Sequence, residues 1–172
     1  MLAGLVESFP LPVIVVEHLL PDHESALASI LAKRTPLHVK QAEDGDALTP
    51  GFVFIAPPDA HTVVDPDGHL RLEVTPPVRF VRPSVDRLFE TLAEVYGERA
   101  LVVVLTGTGQ DGAAGVRAVK AAGGTVFVQD EASSEHFGMP RAAIQSASVD
   151  RILPLEEIAA AIQGMISEEA HP

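Results

Sequence analysis

Two side chains and one loop of this chain have the types and positions that chemistry requires. His18 follows directly on the run Pro12-Val13-Ile14-Val15-Val16-Glu17, and Asp111 lies inside Gly107-Thr108-Gly109-Gln110-Asp111-Gly112. A histidine at the end of a strand can accept a proton from a nucleophile, and a carboxylate on its other ring nitrogen would hold the imidazole in one tautomer. The plainer description of the same residues is a lone structural or exposed histidine and an aspartate capping the helix that follows a glycine-rich turn. The loop also fits the G-x-G-x-x-G spacing whose amides cradle a pyrophosphate, and Asp130, 18 positions beyond Gly112, stands near where a ribose-binding acid is expected. Against that reading, the Asp111 carboxylate would repel phosphate, and such a unit ordinarily comes early in its fold.

The remaining histidines offer less. His61 stands at the mouth of a strand, where it could line a pocket; His23, His38, His69 and His171 fall on helical, edge, turn and terminal positions and are expected to be solvated. No pair has the H-x-x-x-H or H-E-x-x-H spacing of a metal site, so neither a metal nor another cofactor is expected. Residues 129–143 show no apolar periodicity before Ala142 and read as a surface loop. Gly138 sets a bend there, with Pro140 placed as the first residue of a helix.

These residues need a scaffold that brings them to one place, and the apolar pattern supplies it. Short runs rich in β-branched residues at 12–17, 52–56, 100–106, 125–129 and 149–153 read as strands of a buried parallel sheet. Between them lie helical patterns over about 23–34, 83–96, 113–122 and 155–166. Residues 61–64 and 70–74 flank Asp65-Pro66-Asp67-Gly68, which predicts an antiparallel hairpin. The alternation predicts an α/β fold, three-layered and doubly wound, with a mostly parallel sheet and one small hairpin. Ligands in such folds sit beyond the carboxyl ends of the strands, which is where His18, the 57–61 loop, the 107–112 loop and the 130–138 loop all fall.

Composition removes several classes of function. The 172 residues carry 24 Asp and Glu against 12 Lys and Arg, a net charge of −12, so neither nucleic acid nor an anionic membrane surface is an expected partner. With 47% hydrophobic residues and 21% charged, the chain has enough apolar material for one core and no sign of disorder or of a second domain. It has no Cys, which excludes disulfides and thiolate chemistry. Its first basic residue is Lys33, so the amino end lacks the basic region of a secretory signal, and a cytoplasmic domain is expected.

Several ordered motifs together carry a resemblance. Residues 105–115 (LTGTGQDGAAG), followed by Ala122-Gly123-Gly124, Gln129-Asp130-Glu131 and Gly138-Met139-Pro140-Arg141-Ala142-Ala143, are similar to the catalytic domain of the chemotaxis protein-glutamate methylesterases, the CheB family. The likeness extends back through Arg82-Pro83-Ser84-Val85-Asp86, Gly51-Phe52-Val53-Phe54-Ile55-Ala56-Pro57 and Glu43-Asp44-Gly45 to Val15-Val16-Glu17-His18, and so covers nearly the whole chain, read as one domain over 1–172.

The resemblance implies a Ser-His-Asp triad that hydrolyses glutamate methyl esters on the cytoplasmic region of chemoreceptors or a related signalling protein, and that can deamidate receptor glutamines. His18 matches the triad histidine and Asp111 the triad aspartate. Gly107, Thr108, Gly109, Gly138, Met139 and Pro140 match the loops around the reaction centre, the substrate and oxyanion region. Two departures stand out. The family serine lies in a G-A-S-T-G-G type turn upstream of the histidine, and nothing in residues 1–17 resembles it; Ser8 is at the wrong end of the segment. Thr108 stands where the family commonly has Met.

The expectation is therefore a domain lacking its first strand and nucleophile, and lacking the family's receiver domain. Edges left open around that strand would favour self-association. Two other readings remain: a non-catalytic module that keeps a receptor- or partner-binding surface, and a dinucleotide-binding domain using Gly107, Gly109, Gly112 and Asp130.

Overall fold

In the computed structural model, which describes residues 1–18, 26–147 and 149–169, the β-branched runs form two parallel three-stranded sheets. β1 (Val13–Val15), β2 (His38–Gln41) and β3 (Phe52–Ile55) lie in the order β1-β3-β2, with Val13 opposite Val53 and Val39 opposite the same residue from the other side. β4 (His61–Val64) and β5 (Leu70–Glu73) make the antiparallel hairpin, closed by a turn in which Asp65 accepts the amides of Asp67 and His69. The second parallel sheet is β6 (Leu101–Val104), β7 (Thr125–Gln129) and β8 (Arg151–Leu153), in that order.

The helices are α1 (Leu27–Ala32), α2 (Val85–Tyr96), α3 (Ala113–Ala121), α4 (Gly138–Ser146) and α5 (Leu155–Glu169). Side-chain alternation shows how they cover the strands. Ile14 and Val16 of the first sheet, with Val102 and Val104 of the second, face a core shared with Leu88 and Phe89 of α2 and Val116 of α3. Val13, Val15, Leu101 and Val103 point the other way, into a core built with Leu2, Leu5 and Phe9 and with Ile158 and Ile162 of α5. Since period-two strands send neighbouring side chains to opposite faces, the two sheets form one layer between two layers of helix. That is the expected three-layer α/β arrangement.

Within this layer, among the described residues, β1 has a ladder partner only in β3 and β6 only in β7. Each of the two strands therefore has one open edge, and each sends side chains into both cores.

Several sequence expectations need correction. The strand β2 was not predicted, because its pattern HVKQ alternates between exposed and half-buried positions at a sheet edge rather than forming an apolar run. α4 begins at Gly138, which makes Pro140 its third residue rather than its first. The first predicted helix is observed over Leu27–Ala32; the part of it assigned to 23–25 lies outside the described residues, as do His23 and His171. Among the described residues, no helix is long and apolar enough to cross a membrane.

Candidate active site

His18 emerges three residues past the end of β1, and Asp111 lies in the loop between β6 and α3. Although 93 residues apart, they meet: His18 Nε2 is 2.8 Å from Asp111 Oδ2. Their contact shows that β1 and β6 bring their carboxyl ends to one rim, the place where a parallel α/β layer exposes its functional loops.

The carboxylate is held from every side. Asp111 is 4% exposed and accepts two hydrogen bonds on each oxygen. Oδ2 takes the His18 ring and the Val85 amide at 2.6 Å; Oδ1 takes the Ser84 hydroxyl at 2.8 Å and the Asp86 amide at 3.1 Å. Val85 and Asp86 are the first two residues of α2, so their amides would otherwise be unpaired, and the positive end of the helix favours an anion there. The sequence also offers Asp111 as a cap for the helix after its own loop. In the structure Gly112 occupies that position and Asp111 serves the amino end of α2 instead. Burial pushes the Asp111 carboxyl up, but the His18 ring, the Val85 and Asp86 amides and the Ser84 hydroxyl outweigh it and hold it below the usual carboxylate range.

An ionised carboxylate accepts and cannot donate, so His18 carries its proton on Nε2. Nδ1 is then the ring nitrogen with a lone pair, the one able to take a proton from a reacting group. His18 has a side chain 29% exposed, which leaves that function open to solvent and substrate.

Behind the pair lies a second histidine, which the sequence places at the mouth of a strand, where it could line a pocket. His61 is fully buried. Its Nδ1 accepts the Ser84 amide at 3.1 Å, and its Nε2 donates to the Pro76 carbonyl at 3.2 Å. The ring fixes Ser84, whose hydroxyl then reaches Asp111. Ser84 was legible only as a helix start; its side chain caps nothing in α2 and is spent on Asp111.

The loop residues fall into two groups. Thr108 and Gly109 are exposed, whereas Met139 and Pro140 are buried and serve as packing. Gly107 and Gly138 are where the two loops interlock: Gly107 donates to the His136 carbonyl and accepts the Met139 amide, both at 2.9 Å. A side chain at Gly138 would stand 3.0 Å from the Gly109 nitrogen and 3.1 Å from the Gly107 carbonyl, so only glycine permits this approach. Gln129, fully buried at the end of β7, accepts the Thr106 amide at 2.8 Å and donates to the Ser133 carbonyl at 2.7 Å, which ties both loops to the sheet. Asp130 accepts the amide and hydroxyl of Ser133 and is thus engaged within its own loop. Among the described residues, no group of three or more His, Cys, Asp or Glu could hold a metal ion.

Fold and pair together define a parallel α/β scaffold carrying a hydrogen-bonded His–Asp pair at its carboxyl rim. Residues 1–162 match the family model of the CheB methylesterase, and the chain belongs to that family. It is 46% identical over 162 residues to a protein-glutamate methylesterase/protein-glutamine glutaminase of Anaeromyxobacter dehalogenans, covering 94% of this chain and 47% of that protein. It is 40% identical to the protein-glutamate methylesterase FrzG of Myxococcus xanthus, covering 90% of this chain and 46% of that one. The chain thus spans about half the length of these relatives. The crystal structure of the Thermotoga maritima CheB methylesterase catalytic domain superposes with a TM-score of 0.92 at 36% identity, covering 96% of this chain and 89% of that one.

Proposed function

We propose that this chain forms the His–Asp half and the scaffold of a protein-glutamate methylesterase that acts on chemoreceptors and also deamidates receptor glutamines. The observation that carries the reading is the 2.8 Å hydrogen bond between His18 Nε2 and Asp111 Oδ2, made by two residues at strand ends of a CheB-family fold. In the proposed reaction a serine hydroxyl attacks the ester carbonyl while His18 Nδ1 takes its proton. Collapse of the tetrahedral intermediate releases methanol, which leaves with the proton returned from Nδ1, or ammonia from a glutamine. Water then cleaves the acyl-serine by the same proton transfer and frees the glutamate carboxylate. Asp111 keeps Nε2 protonated and stabilises the imidazolium that forms.

The serine has to approach Nδ1. Ser84 is buried on the Asp111 side with its proton donated there, and Ser8 enters β1 from the amino end whereas His18 leaves at the carboxyl end. Following the family resemblance, in which the serine sits in a turn after a strand upstream of the histidine, we assign the nucleophile to such a strand seated between the open edges of β1 and β6. The same observation supports a second reading, in which the chain alone binds a partner without turning it over.

The test is methanol release from a chemoreceptor fragment bearing glutamate methyl esters. The 172-residue chain alone is expected to release none and to self-associate through its open edges in sedimentation. Preceded by a strand and serine turn of the family type, it is expected to become a monomer that turns over, with activity lost on His18→Ala. Turnover by the short chain would overturn the assignment of the nucleophile, and an inactive, well-folded extended chain would favour the binding role.

A further inference from the structure

Just before α2, at residues 78–81, the chain makes a turn that neither core accounts for. Val78 and Val81 exchange both backbone hydrogen bonds, at 3.1 and 2.9 Å, and the two residues between them, Arg79 and Phe80, have φ of 49° and 70°. Two-residue turns with positive φ at both central positions are ordinarily built from Asn and Gly, because a side chain at positive φ crowds the backbone. Here the crowded position holds a phenylalanine whose side chain is fully exposed, and Val74, the first residue past β5, is exposed as well.

The turn is fastened to the site. Arg79 Nε lies 3.5 Å from Asp86 Oδ2, while the Asp86 carboxylate accepts the Gly115 amide of α3 at 2.8 Å and the Asp86 amide donates to Asp111. Asp86 is buried and Oδ2 has no hydrogen-bond partner, so the Arg79 guanidinium is what balances its charge. Two contacts therefore lead from the tip of the turn to the acid of the site. Arg79 is itself half exposed, and it presents positive charge in a chain whose net charge is −12.

We propose that the Val78–Val81 turn is the element that docks the protein substrate: Phe80 seats against an apolar side chain beside the ester-bearing glutamate, and Arg79 draws in a neighbouring carboxylate. This rests on the reading of the site as a protein-glutamate esterase. A rigid aromatic with an adjacent arginine is the composition that concentrates binding energy at protein contacts. It also meets a specific need of this chain, since an acidic enzyme acting on a glutamate-bearing surface must offset like-charge repulsion.

The experiment compares binding of a fluorescently labelled chemoreceptor cytoplasmic fragment, esterified at its glutamates, to the wild-type chain and its Phe80→Ala, Phe80→Trp and Arg79→Gln variants, by anisotropy. Circular dichroism of each variant confirms the fold. Phe80→Ala is expected to weaken binding at least about tenfold, equivalent to ~1.4 kcal/mol, with Phe80→Trp within about twofold of wild type. Arg79→Gln is expected to weaken binding and flatten its salt dependence. Equal affinity of wild type and Phe80→Ala would overturn the docking role and leave the esterase reading intact. Absence of binding by the wild type would overturn it too. Hydrolysis of N-acetyl glutamate γ-methyl ester amide by the strand-extended chain, which involves no docking surface, reports separately on whether the esterase reading stands.

Discussion

The two partners of the His18–Asp111 hydrogen bond live in opposite surroundings. Asp111 is buried and over-determined, with three donors from the α2 amino end in addition to the histidine. His18 stands three residues beyond an open-edged strand, partly exposed, and its described hydrogen bond is the one to Asp111. One half of the site is thus made by the fold and the other is only pointed by it. A hydrogen bond shared by such partners has unequal consequences when broken from either end, because a buried donor left without its acceptor costs its full desolvation while an exposed one finds water.

The largest effect is therefore expected from Asp111. Asp111→Ala strands the Ser84 hydroxyl and the Val85 and Asp86 amides in a buried place, and should lower stability by about 3–5 kcal/mol in urea denaturation. Asp111→Asn keeps the shape and separates charge from packing. Since the Asp111 carboxyl is held below its ordinary value, its contribution is fully present above the unfolded value of roughly 3.9 and is lost as pH falls through the lower folded value. The stability gap between wild type and Asp111→Asn should accordingly be widest near neutral pH and close in acid. Asp46, Asp65 and Asp150, whose carboxyls are also held low, are common to both proteins and cancel in the difference. A gap independent of pH would mean that Asp111 acts through packing rather than charge.

An intermediate effect is expected at Gln129, which belongs to the fixed half of the site but lies one step from the chemistry. Gln129→Ala leaves the Thr106 amide and the Ser133 carbonyl without their partner, a loss of about 2 kcal/mol. Because those contacts hold the 106–109 and 130–134 loops, hydrogen exchange of the Gly107 and Gly109 amides should accelerate more than that of β7 itself. Uniform acceleration across β7 would reduce Gln129 to a core residue with no particular hold on the loops.

How far each half could be read in the sequence follows the same division. The buried strands were legible because both their faces are covered, so β-branched runs such as Leu101–Val104 have no polar alternation to confuse them; β2, with one open side, lacks that signal. His18 and Asp111 were legible as strand-end residues with complementary chemistry. Ser84 and His61 were not, since their roles depend on α2 and the 76–84 segment folding back onto β4 and onto the loop after β6, tertiary contacts between residues 23 to 27 apart. The Val78–Val81 turn was invisible because it lacks the Gly or Asn that announces such geometry.

The smallest structural effect is expected from His18, and it sharpens the comparison most. His18→Ala removes one of four hydrogen bonds from Asp111 and leaves the other three, while water can reach the vacated position through the exposed side of the site. A hydrogen bond made from a partly exposed ring contributes little, so the loss of stability should be under about 1 kcal/mol. The Val85 and Asp86 amides should keep their protection in hydrogen exchange, because their acceptor is still in place. Loss of that protection, or destabilisation as large as that of Asp111→Ala, would show that the histidine is part of the fixed structure. A protein with the cradle intact and no histidine in it would instead establish that the acid is positioned independently of the imidazole, so that the fold fixes the orienting group and the exposed ring is added to it.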